Sequence, residues 1–470
     1  MDYGTVTESV LKDLESLLGA HNVAVDEEKR RAYSLDEVAE QFWDRPYCAD
    51  VVVFPENTQH VSAILAYANE RRIPVTPRGA GTGLSGGAVP AYGGIVMAFD
   101  RMNRILEVDL ENLTATAEPG VVTADIQAAA ARHGLEYAGD PCSGDVSFIG
   151  GNVAENAGGN KVIKYGTTGA NVLALEVVLP SGEVTWFGGK RRKDVTGLDL
   201  VHLIAGSEGT LGVVTKVVVK LVPRQEYVVD LLVPFPGVDE AIGFVPRVIR
   251  ETGLIPSSLE FMDKTSLDLV SRYIGSSLPF ADAEAHLIIQ LEGGDDDVLA
   301  DQYERIGDLC FEGGALEVFV ADNRNFRDQL WKARKNISEA IIALYRKYTK
   351  EDLAVPTSAI PDLMKGIERV CHTYGLESAN FGHVGDGNMH VNILAGEDRE
   401  DWREAIEEAR LDLYRLTVEL GGTLSGEHGI GLKRKKYLPM FLDEPQMRLI
   451  RGIKRVFDPN MILNPGKILD

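Results

Sequence analysis

The sequence lacks the features that would direct a protein into or across a membrane. No apolar run in its 470 residues approaches the ~20 residues needed to span a bilayer. Its start, Met1-Asp2-Tyr3-Gly4, has neither the basic residues nor the apolar stretch of a secretory signal. We therefore expect a cytoplasmic protein without a transmembrane segment, which could be peripheral to a membrane through partner subunits.

Cysteine and positive charge are scarce as well. The cysteines are Cys48, Cys142, Cys310 and Cys371; they are widely separated and form no C-x-x-C pair, which is typical of reduced, structural thiols. The net charge of −23 argues against a nucleic-acid partner, because binding phosphates requires clustered cations. The run Lys190-Arg191-Arg192-Lys193 is an exception that fits a solvated turn. A site for an anionic substrate must therefore supply its own local cations.

Apolar residues are plentiful, at 44%, and the length predicts two or three domains. Up to about residue 224, short apolar strands alternate with single helices and glycine-rich loops. From Gln225 the order β-α-β occurs twice, which predicts a ferredoxin-like antiparallel sheet with helices on one face. Helices are expected at roughly 323–346, 361–373 and 400–420, and residues 380–394 are predicted to form a hairpin.

The first glycine-rich loop, Pro77-Arg78-Gly79-Ala80-Gly81-Thr82-Gly83-Leu84-Ser85-Gly86-Gly87, contains a G-x-G-x-x-G pattern. This pattern indicates a Rossmann dinucleotide site only where a helix begins inside it. Here the chain continues into Ala88-Val89-Pro90 and a strand, so we reject a Rossmann site. Glycines in such a loop instead let backbone N–H groups wrap around a pyrophosphate.

Two further segments extend this interpretation. Gly150-Gly151-Asn152-Val153-Ala154-Glu155-Asn156-Ala157-Gly158-Gly159-Asn160 combines small residues, which admit a flat ring, with carboxamides, which bond to heteroatoms. Gly206-Ser207-Glu208-Gly209-Thr210-Leu211-Gly212 precedes the last strand of the region. Three such segments predict a large cofactor that is both phosphorylated and planar.

Four residues of the C-terminal half indicate a metal site. His383 and His390 lie seven residues apart in the predicted hairpin, and Glu427-His428 follows. Two imidazoles and one carboxylate can bind a divalent metal and leave positions open for water or substrate. His428, beside a candidate ligand, can act as a base. These residues alone leave hydrolysis by a metal-activated water open, but a metallohydrolase does not explain the glycine-rich loops.

Together these motifs resemble the FAD-linked oxidoreductases of the vanillyl-alcohol oxidase/p-cresol methylhydroxylase superfamily. Within it, they resemble the D-lactate dehydrogenase, glycolate oxidase and D-2-hydroxyglutarate dehydrogenase group, from about Val51 to Asn464-Pro465-Gly466-Lys467. The resemblance implies an α+β protein with a FAD-binding domain of the vanillyl-alcohol oxidase type at 1–224, comprising an N-terminal helix and two α+β subdomains. A ferredoxin-like antiparallel-sheet cap domain for the substrate would follow at 225–415. A C-terminal segment at 416–470 would return to the FAD domain and complete the active site.

The resemblance implies FAD bound non-covalently, because the first loop lacks the histidine that often carries a covalent flavin in this family. The cofactor contacts that it implies are Pro77, Arg78, Gly79, Ala80, Gly81, Thr82, Gly83, Ser85, Pro141, Ser147, Gly150, Gly151, Asn152, Asn156, Gly158, Gly159, Glu208, Gly209 and Asn464. The sequence departs from the family before Gly150. There Ser147-Phe148-Ile149 replaces Cys/Ser-Thr-Ile, which leaves the contact of Ser147 open.

On the substrate side, the resemblance implies that His383, His390 and Glu427 hold zinc, iron or manganese. A 2-hydroxy acid would chelate this metal through its hydroxyl and carboxylate, and the metal would lower the pKa of the hydroxyl. His428 would accept the hydroxyl proton while a hydride passes from the α-carbon to flavin N5.

Four more residues are implied near the substrate. Arg334 would grip the substrate carboxylate, with Ser338 one helical turn away. Lys350 and Asn392 would also lie in the pocket. Glu351 stands where a tyrosine is common in relatives, so the pocket is predicted to differ there.

We therefore expect a FAD- and metal-dependent dehydrogenase that oxidises D-lactate or glycolate. D-2-hydroxyglutarate with the same mechanism is the alternative, and a metallohydrolase or a non-catalytic flavin subunit would be a different class. The resemblance implies electron transfer to an electron-transfer flavoprotein, an iron–sulfur subunit or a quinone. A homo- or hetero-oligomer is possible, and no nucleic acid is expected.

Overall fold

The structure is a computed structural model that describes residues 3–321 and 323–469, apart from the Gln41 side chain. The helices are α1 Glu8–Leu18, α2 Glu27–Ala32, α3 Thr58–Arg71, α4 Thr123–Ala131, α5 Ile149–Glu155, α6 Val162–Tyr165, α7 Leu200–Ile204, α8 Val238–Thr252, α9 Lys264–Ile274, α10 Asp296–Glu312, α11 Arg324–Lys335, α12 Ile337–Leu344, α13 Ile360–Tyr374, α14 Trp402–Glu419 and α15 Glu444–Phe457. The strands are β1 Val23–Ala24, β2 Val51–Val53, β3 Val75–Arg78, β4 Ile95–Ala98, β5 Ile105–Asp109, β6 Thr114–Ala117, β7 Leu135–Glu136, β8 Val172–Val178, β9 Val184–Gly188, β10 Val213–Lys220, β11 Val222–Pro223, β12 Tyr227–Phe235, β13 Ser258–Asp263, β14 Ala285–Gly293, β15 Phe319–Ala321, β16 Tyr348–Ala354, β17 Glu377–His383 and β18 Asn388–Leu394.

The chain divides into two compact units. The first comprises the chain up to Gly158, the segment Gly166–Arg224 and the chain from Glu427 onward. The second comprises Gly159–Tyr165 and Gln225–Gly426. Among the residues that the structure describes, no helix is both long and apolar enough to cross a membrane.

The first unit is built on two main sheets. One has the order β1-β2-β4-β3, in which β2, β4 and β3 run parallel. Helix α3 makes the crossover between β2 and β3, and it buries Val61, Ile64 and Leu65. The other sheet is antiparallel, with the order β5-β6-β10-β8-β9. The first glycine-rich loop leaves β3 at its carboxyl end, which is where open parallel sheets bind ligands.

The second unit is one antiparallel sheet of the order β15-β12-β14-β13-β17-β18-β16. Its first four strands come from the predicted double β-α-β pattern, as β12-α8-β13 and β14-α10-β15, and they pair in the ferredoxin-like order. The predicted hairpin is β17 and β18. Strand β16, which the sequence reading did not predict, continues the sheet beside β18.

Three boundaries differ from those predicted. Residues 416–426, predicted to begin the C-terminal segment, belong to the second unit, which ends at Gly426. The segment Gly159–Tyr165, placed by sequence in the first domain, belongs to the second unit. The reason is Glu292 at the end of β14, whose carboxylate binds Lys161 at 3.4 Å, Lys164 at 3.0 Å and the Tyr165 hydroxyl. The predicted helix at 323–346 is interrupted at Asn336, which separates α11 from α12.

Candidate active site

The first unit contains a cavity walled by all three glycine-rich segments. The empty space within it, including space open to solvent, is about 1370 Å³. The predicted cofactor residues that line it are Pro77, Arg78, Gly79, Ala80, Gly81, Thr82, Gly83, Pro141, Gly150, Gly151, Asn152, Gly158, Glu208, Gly209 and Asn464. A cavity with this glycine-rich lining suits a dinucleotide, because backbone N–H groups can reach its phosphates.

The other predicted cofactor residues lie outside this lining. The carbonyls of Ser85 and Ser147 and the amide oxygen of Asn156 accept backbone N–H groups of the first unit at 2.8 to 3.1 Å. Gly159 belongs to the second unit. These groups shape the walls, and their contact with a cofactor stays a prediction.

The first glycine-rich loop is supported by a partly buried acid, Asp36, and a buried arginine, Arg78. Asp36 Oδ2 accepts the N–H of Gly86 at 2.8 Å, and the Arg78 guanidinium stacks 5.4 Å from the centre of the Tyr33 ring. Burial raises the pKa of Asp36 to about 6, and burial lowers the pKa of Arg78. A β-carbon on Gly81, whose φ is +82°, would lie 2.1 Å from Arg78 Nη2. Glycine is therefore required where the loop folds over the arginine.

Glycines also let backbone from different segments meet at the cavity wall. A β-carbon on Gly158 would lie 2.5 Å from Glu427 Oε2 and 2.9 Å from Glu427 Cβ. A β-carbon on Gly150 would lie 2.6 Å from Pro119 Cβ and 3.0 Å from the Pro119 carbonyl oxygen. Because bare backbone forms these walls, a flat ring and a pyrophosphate can approach closely and bond to N–H groups. The residues present thus fit FAD.

Glu208 fastens the loop that follows His428. Its two carboxylate oxygens accept the N–H groups of Ile430 and Gly431, each at 2.6 Å. Its carbonyl accepts Asn464 Nδ2 at 2.7 Å. Glu208 holds a left-handed backbone, with φ of +51°, which is costly for a residue other than glycine. Although it lines the cavity as predicted, its carboxylate is committed to positioning the 427–431 loop.

Glu155 of the second glycine-rich segment is a second acid in this wall, and it was not predicted to be a site residue. A β-carbon on Gly429 would lie 2.1 Å from Glu155 Oε2 and 3.0 Å from Glu208 Oε1, so the two carboxyl groups are neighbours. Burial, and then the charge of Glu208, raise the pKa of Glu155 well above its usual range. A glutamate within a run of small residues was the signal in the sequence.

Glu427 and His428 both line the same cavity of the first unit. His428 Nε2 lies 3.4 Å from Glu427 Oε1, and both side chains are mostly buried. The predicted base is therefore in the wall of the predicted flavin cavity. A carboxylate this close can orient the imidazole and stabilise its protonated form.

In the second unit, the strand register gathers the predicted substrate residues. The rings of His383 on β17 and His390 on β18 have centres 5.3 Å apart. Strand β16 places Lys350 opposite Asn392 and Asp352 opposite His390. Because residues two positions apart share a face of a strand, these side chains lie on one face.

Glu260 on β13 links two of the predicted residues. Its Oε1 lies 2.8 Å from His383 Nδ1, and its Oε2 accepts Arg334 Nε at 2.8 Å and lies 2.7 Å from Nη2. All three side chains are buried. Burial raises the pKa of Glu260, but the charges of His383 and Arg334 and their hydrogen bonds outweigh it, so the pKa is lowered. An ionised carboxylate therefore fixes the orientation of both partners.

Asp352 provides a second carboxylate beside the other histidine. Its Oδ1 accepts Asn388 Nδ2 at 2.8 Å and lies 3.7 Å from His390 Nδ1. Its Oδ2 accepts the Ser425 hydroxyl at 2.6 Å. Sequence reasoning missed both Glu260 and Asp352. For Glu260 the signal was an acidic residue inside an otherwise apolar predicted strand, whereas Asp352 lies in a strand that was not predicted.

The remaining predicted residues are held by specific contacts. Lys350 Nζ donates to Ser338 Oγ at 2.6 Å, so two of the predicted residues are in contact. Ser338 was predicted to lie on the helix of Arg334, but the break at Asn336 places it in α12. The Asn392 side-chain amide donates to a backbone carbonyl of β17 at 2.9 Å. Glu351, where the pocket was predicted to differ, is buried and binds Arg410 Nε at 2.9 Å. One position from Lys350 on a strand, it points to the opposite face, so that prediction is wrong.

A glycine-walled dinucleotide cavity and an antiparallel-sheet unit with buried histidines together define a flavin-dependent oxidoreductase architecture. The solved structure of p-cresol methylhydroxylase with substrate bound has the same fold: its TM-score is 0.80 at 17% identity, over 99% of this chain and 98% of that chain. Residues 49–188 match the family described as FAD binding domain, and residues 224–468 match FAD linked oxidases, C-terminal domain.

Two relatives match over nearly their whole lengths. The glycolate oxidase subunit GlcD of Bacillus subtilis (strain 168) is 40% identical over 98% of this chain and 97% of its own. The D-lactate dehydrogenase of Anaerostipes hadrus is 35% identical over 99% of this chain and 98% of its own. The chain belongs to the FAD-linked oxidases and is an FAD-binding oxidoreductase. The predicted family, fold class and flavin are confirmed.

Proposed function

We propose that the protein oxidises a D-2-hydroxy acid, D-lactate or glycolate, to the corresponding 2-oxo acid. The observation that carries this proposal is Glu260, which bonds both to a candidate metal ligand, His383, and to a candidate carboxylate binder, Arg334. One buried group thus holds the partners for a hydroxyl and for an adjacent carboxylate. The names of the two relatives support the same substrate class.

Arg334 and Lys350 are the proposed anchors for the substrate carboxylate. In a chain of net charge −23, an anion needs local cations. Arg334 is buried and its plane is fixed by Glu260, so it can present its guanidinium to a carboxylate without losing further side-chain entropy. Lys350 of β16, bonded to Ser338, adds a second cation. Bound FAD supplies the chemistry of accepting a hydride from the α-carbon.

The proposed metal ligands are His383, His390 and Glu427. Their donor set fits zinc, iron or manganese. A histidine whose Nδ1–H donates to a carboxylate presents Nε2 as its lone-pair nitrogen, and this is the usual support of a metal-binding histidine. A metal held there would supply Lewis acidity to the substrate hydroxyl. His428 is the proposed base that takes the hydroxyl proton, with Glu427 beside it to stabilise the charged imidazole.

The same chemistry requires an electron acceptor. Reduced flavin must be reoxidised, and we propose an electron-transfer flavoprotein, an iron–sulfur subunit or a quinone as acceptor. A cytoplasmic protein that reaches a membrane through such a partner would be consistent with this role.

The test is anaerobic mixing of the flavin-loaded protein with D-lactate, L-lactate, glycolate and D-2-hydroxyglutarate. We expect bleaching of the oxidised flavin by D-lactate or glycolate and formation of the 2-oxo acid. Faster bleaching by D-2-hydroxyglutarate would reassign the substrate within the same mechanism. Flavin that stays oxidised with all four acids would contradict the proposed function.

A further inference from the structure

A large apolar side chain lies among the charged and polar groups of the substrate side. Phe381 is on β17, two residues before the proposed metal ligand His383, so both side chains project from the same face of the sheet. From the contacts of its ring we infer that Phe381 determines substrate specificity. It limits the substrate to 2-hydroxy acids whose side chain is a hydrogen or a methyl group. This inference rests on the proposed function and adds a residue that selects within the substrate class.

The ring of Phe381 contacts groups that would hold both ends of the substrate. Its centre lies 4.7 Å from the Arg334 guanidinium carbon, which is within the range of a cation–π interaction. It also lies 5.1 Å from the centre of the His390 ring, with 56° between the two ring planes. The proposed carboxylate anchor and a proposed metal ligand therefore border the same aromatic ring.

The ring is held firmly in this position. Strand pairing aligns Phe381 with Met262 of β13 on one side and with His390 of β18 on the other. The Arg334 guanidinium beside the ring is itself fixed by Glu260, at 2.7 and 2.8 Å. Phe381 is 6% exposed and Met262 is fully buried, so the ring has little room to move aside. A substrate side chain that reached it would have to displace a packed aromatic ring.

The chemistry of a 2-hydroxy acid places its side chain near this ring. The α-carbon carries the hydroxyl and is bonded to the carboxylate. When the proposed metal site binds the hydroxyl and Arg334 binds the carboxylate, the α-carbon lies between two groups that both border Phe381. The side chain on that carbon therefore extends beside the ring.

This position suits a hydrogen or a methyl group. Phe381 and Met262 have no hydrogen-bond donor in their side chains. A methyl group is stabilised by burial against them. The second carboxylate of D-2-hydroxyglutarate would gain no hydrogen bond from either side chain, and an unpaired buried carboxylate is costly. The two residues thus favour D-lactate and glycolate within the proposed substrate class.

The experiment compares Phe381→Ala and Phe381→Leu with the unaltered chain, each purified with FAD and metal bound. Anaerobic flavin reduction gives kcat/KM for glycolate, D-lactate, D-2-hydroxybutyrate and D-2-hydroxyvalerate. One methylene in an apolar pocket changes selectivity by about 10–200-fold, so Phe381→Ala should raise the ratio of D-2-hydroxybutyrate to D-lactate at least about tenfold. Phe381→Leu removes less volume and should shift the ratio in the same direction, which keeps the test valid if the alanine variant does not fold.

A binding measurement tests the same preference without turnover. The 2-oxo acid products bind to the oxidised protein but have no hydride to give. Calorimetric titration with pyruvate and 2-oxobutyrate should show the ratio of their dissociation constants moving toward 2-oxobutyrate in both variants. A ring that serves only to support Arg334 would weaken the binding of both acids equally.

The matched control is Phe261→Leu in the same sheet. Phe261 is fully buried and lies one position from Met262 on β13, so its side chain is on the opposite face. This variant loses similar packing and should keep the ratio of the unaltered chain. An equal shift in the control, or an unchanged ratio in the Phe381 variants, would overturn the inference while the unaltered chain still oxidised D-lactate or glycolate. Flavin that stayed oxidised with every acid in the unaltered chain would contradict the proposed function itself, and the inference with it.

Discussion

Replacing Glu260 by glutamine should damage the second unit in two separable ways. Both carboxylate oxygens are engaged, by His383 on one side and by Arg334 on the other, and Glu260 and Arg334 are almost fully buried. Glutamine keeps one acceptor oxygen and turns an NH₂ group toward a donor. Removing one partner of a buried ion pair costs about 3–5 kcal/mol, so the free energy of unfolding should fall by that amount.

The second effect is on the proposed metal site. Loss of the carboxylate behind a metal-binding histidine lowers metal affinity by about 10–100-fold. We therefore expect Glu260→Gln to contain less metal and to reduce its flavin slowly with substrate, while the flavin spectrum in the first unit is unchanged. Added metal should restore part of the rate. Chemical unfolding, metal analysis and anaerobic stopped-flow absorbance measure the three quantities.

The control is Glu284→Gln, in the same unit. Glu284 forms an exposed ion pair with Lys264 at 3.1 Å, and such pairs contribute about 0–1 kcal/mol. This variant should match the unaltered chain in stability, metal content and rate. If Glu260→Gln behaved like Glu284→Gln, the argument that one buried carboxylate organises the substrate side would be wrong.

Three further changes have defined outcomes. Gly158→Ala places a methyl group 2.5 Å from Glu427 Oε2, so metal content and flavin affinity should fall together, and retention of both would refute the close contact. Glu208→Gln removes one of the two oxygens that accept the N–H groups of Ile430 and Gly431, so the free energy of unfolding should fall by about 1–3 kcal/mol. It should also alter the pH profile of flavin reduction. An unchanged profile would contradict the role of Glu208 in positioning the 427–431 loop. Burial lowers the pKa of Lys467 to about 7, so between about pH 7 and 10 the unfolded chain binds more protons than the folded chain. This difference in bound protons raises the free energy of unfolding by at most about 1.4 kcal/mol for each pH unit. Lys467→Met should lack that contribution when its thermal unfolding is measured across this pH range. If its stability changed with pH as steeply as that of the unaltered chain, the lowered pKa of Lys467 would be contradicted.

Local pattern was enough to predict much of the fold. The β-α-β repeat after Gln225 and the histidine hairpin are both present, because each depends on periodicity and turn residues over short stretches. The glycine-rich segments pointed to the cavity for a similar reason. A glycine requirement is local even when the segments that meet are distant in sequence.

Long-range pairing limited what could be predicted of the site. Glu260 meets His383 only because β13 and β17 are neighbours in the sheet, and nothing near either residue encodes that pairing. Glu351 was misplaced for a related reason. Without β16 as a recognised strand, the alternation that turns it away from Lys350 could not be applied.

The most direct test of the account is flavin reduction in protein freed of divalent metal by a chelator. The metal-free protein should keep its FAD, because that cavity is walled by the first unit alone. It should remain oxidised with D-lactate or glycolate under anaerobic conditions until zinc, iron or manganese is restored. Reduction at an unchanged rate by protein shown to contain no metal would contradict the proposed roles of His383, His390 and Glu427.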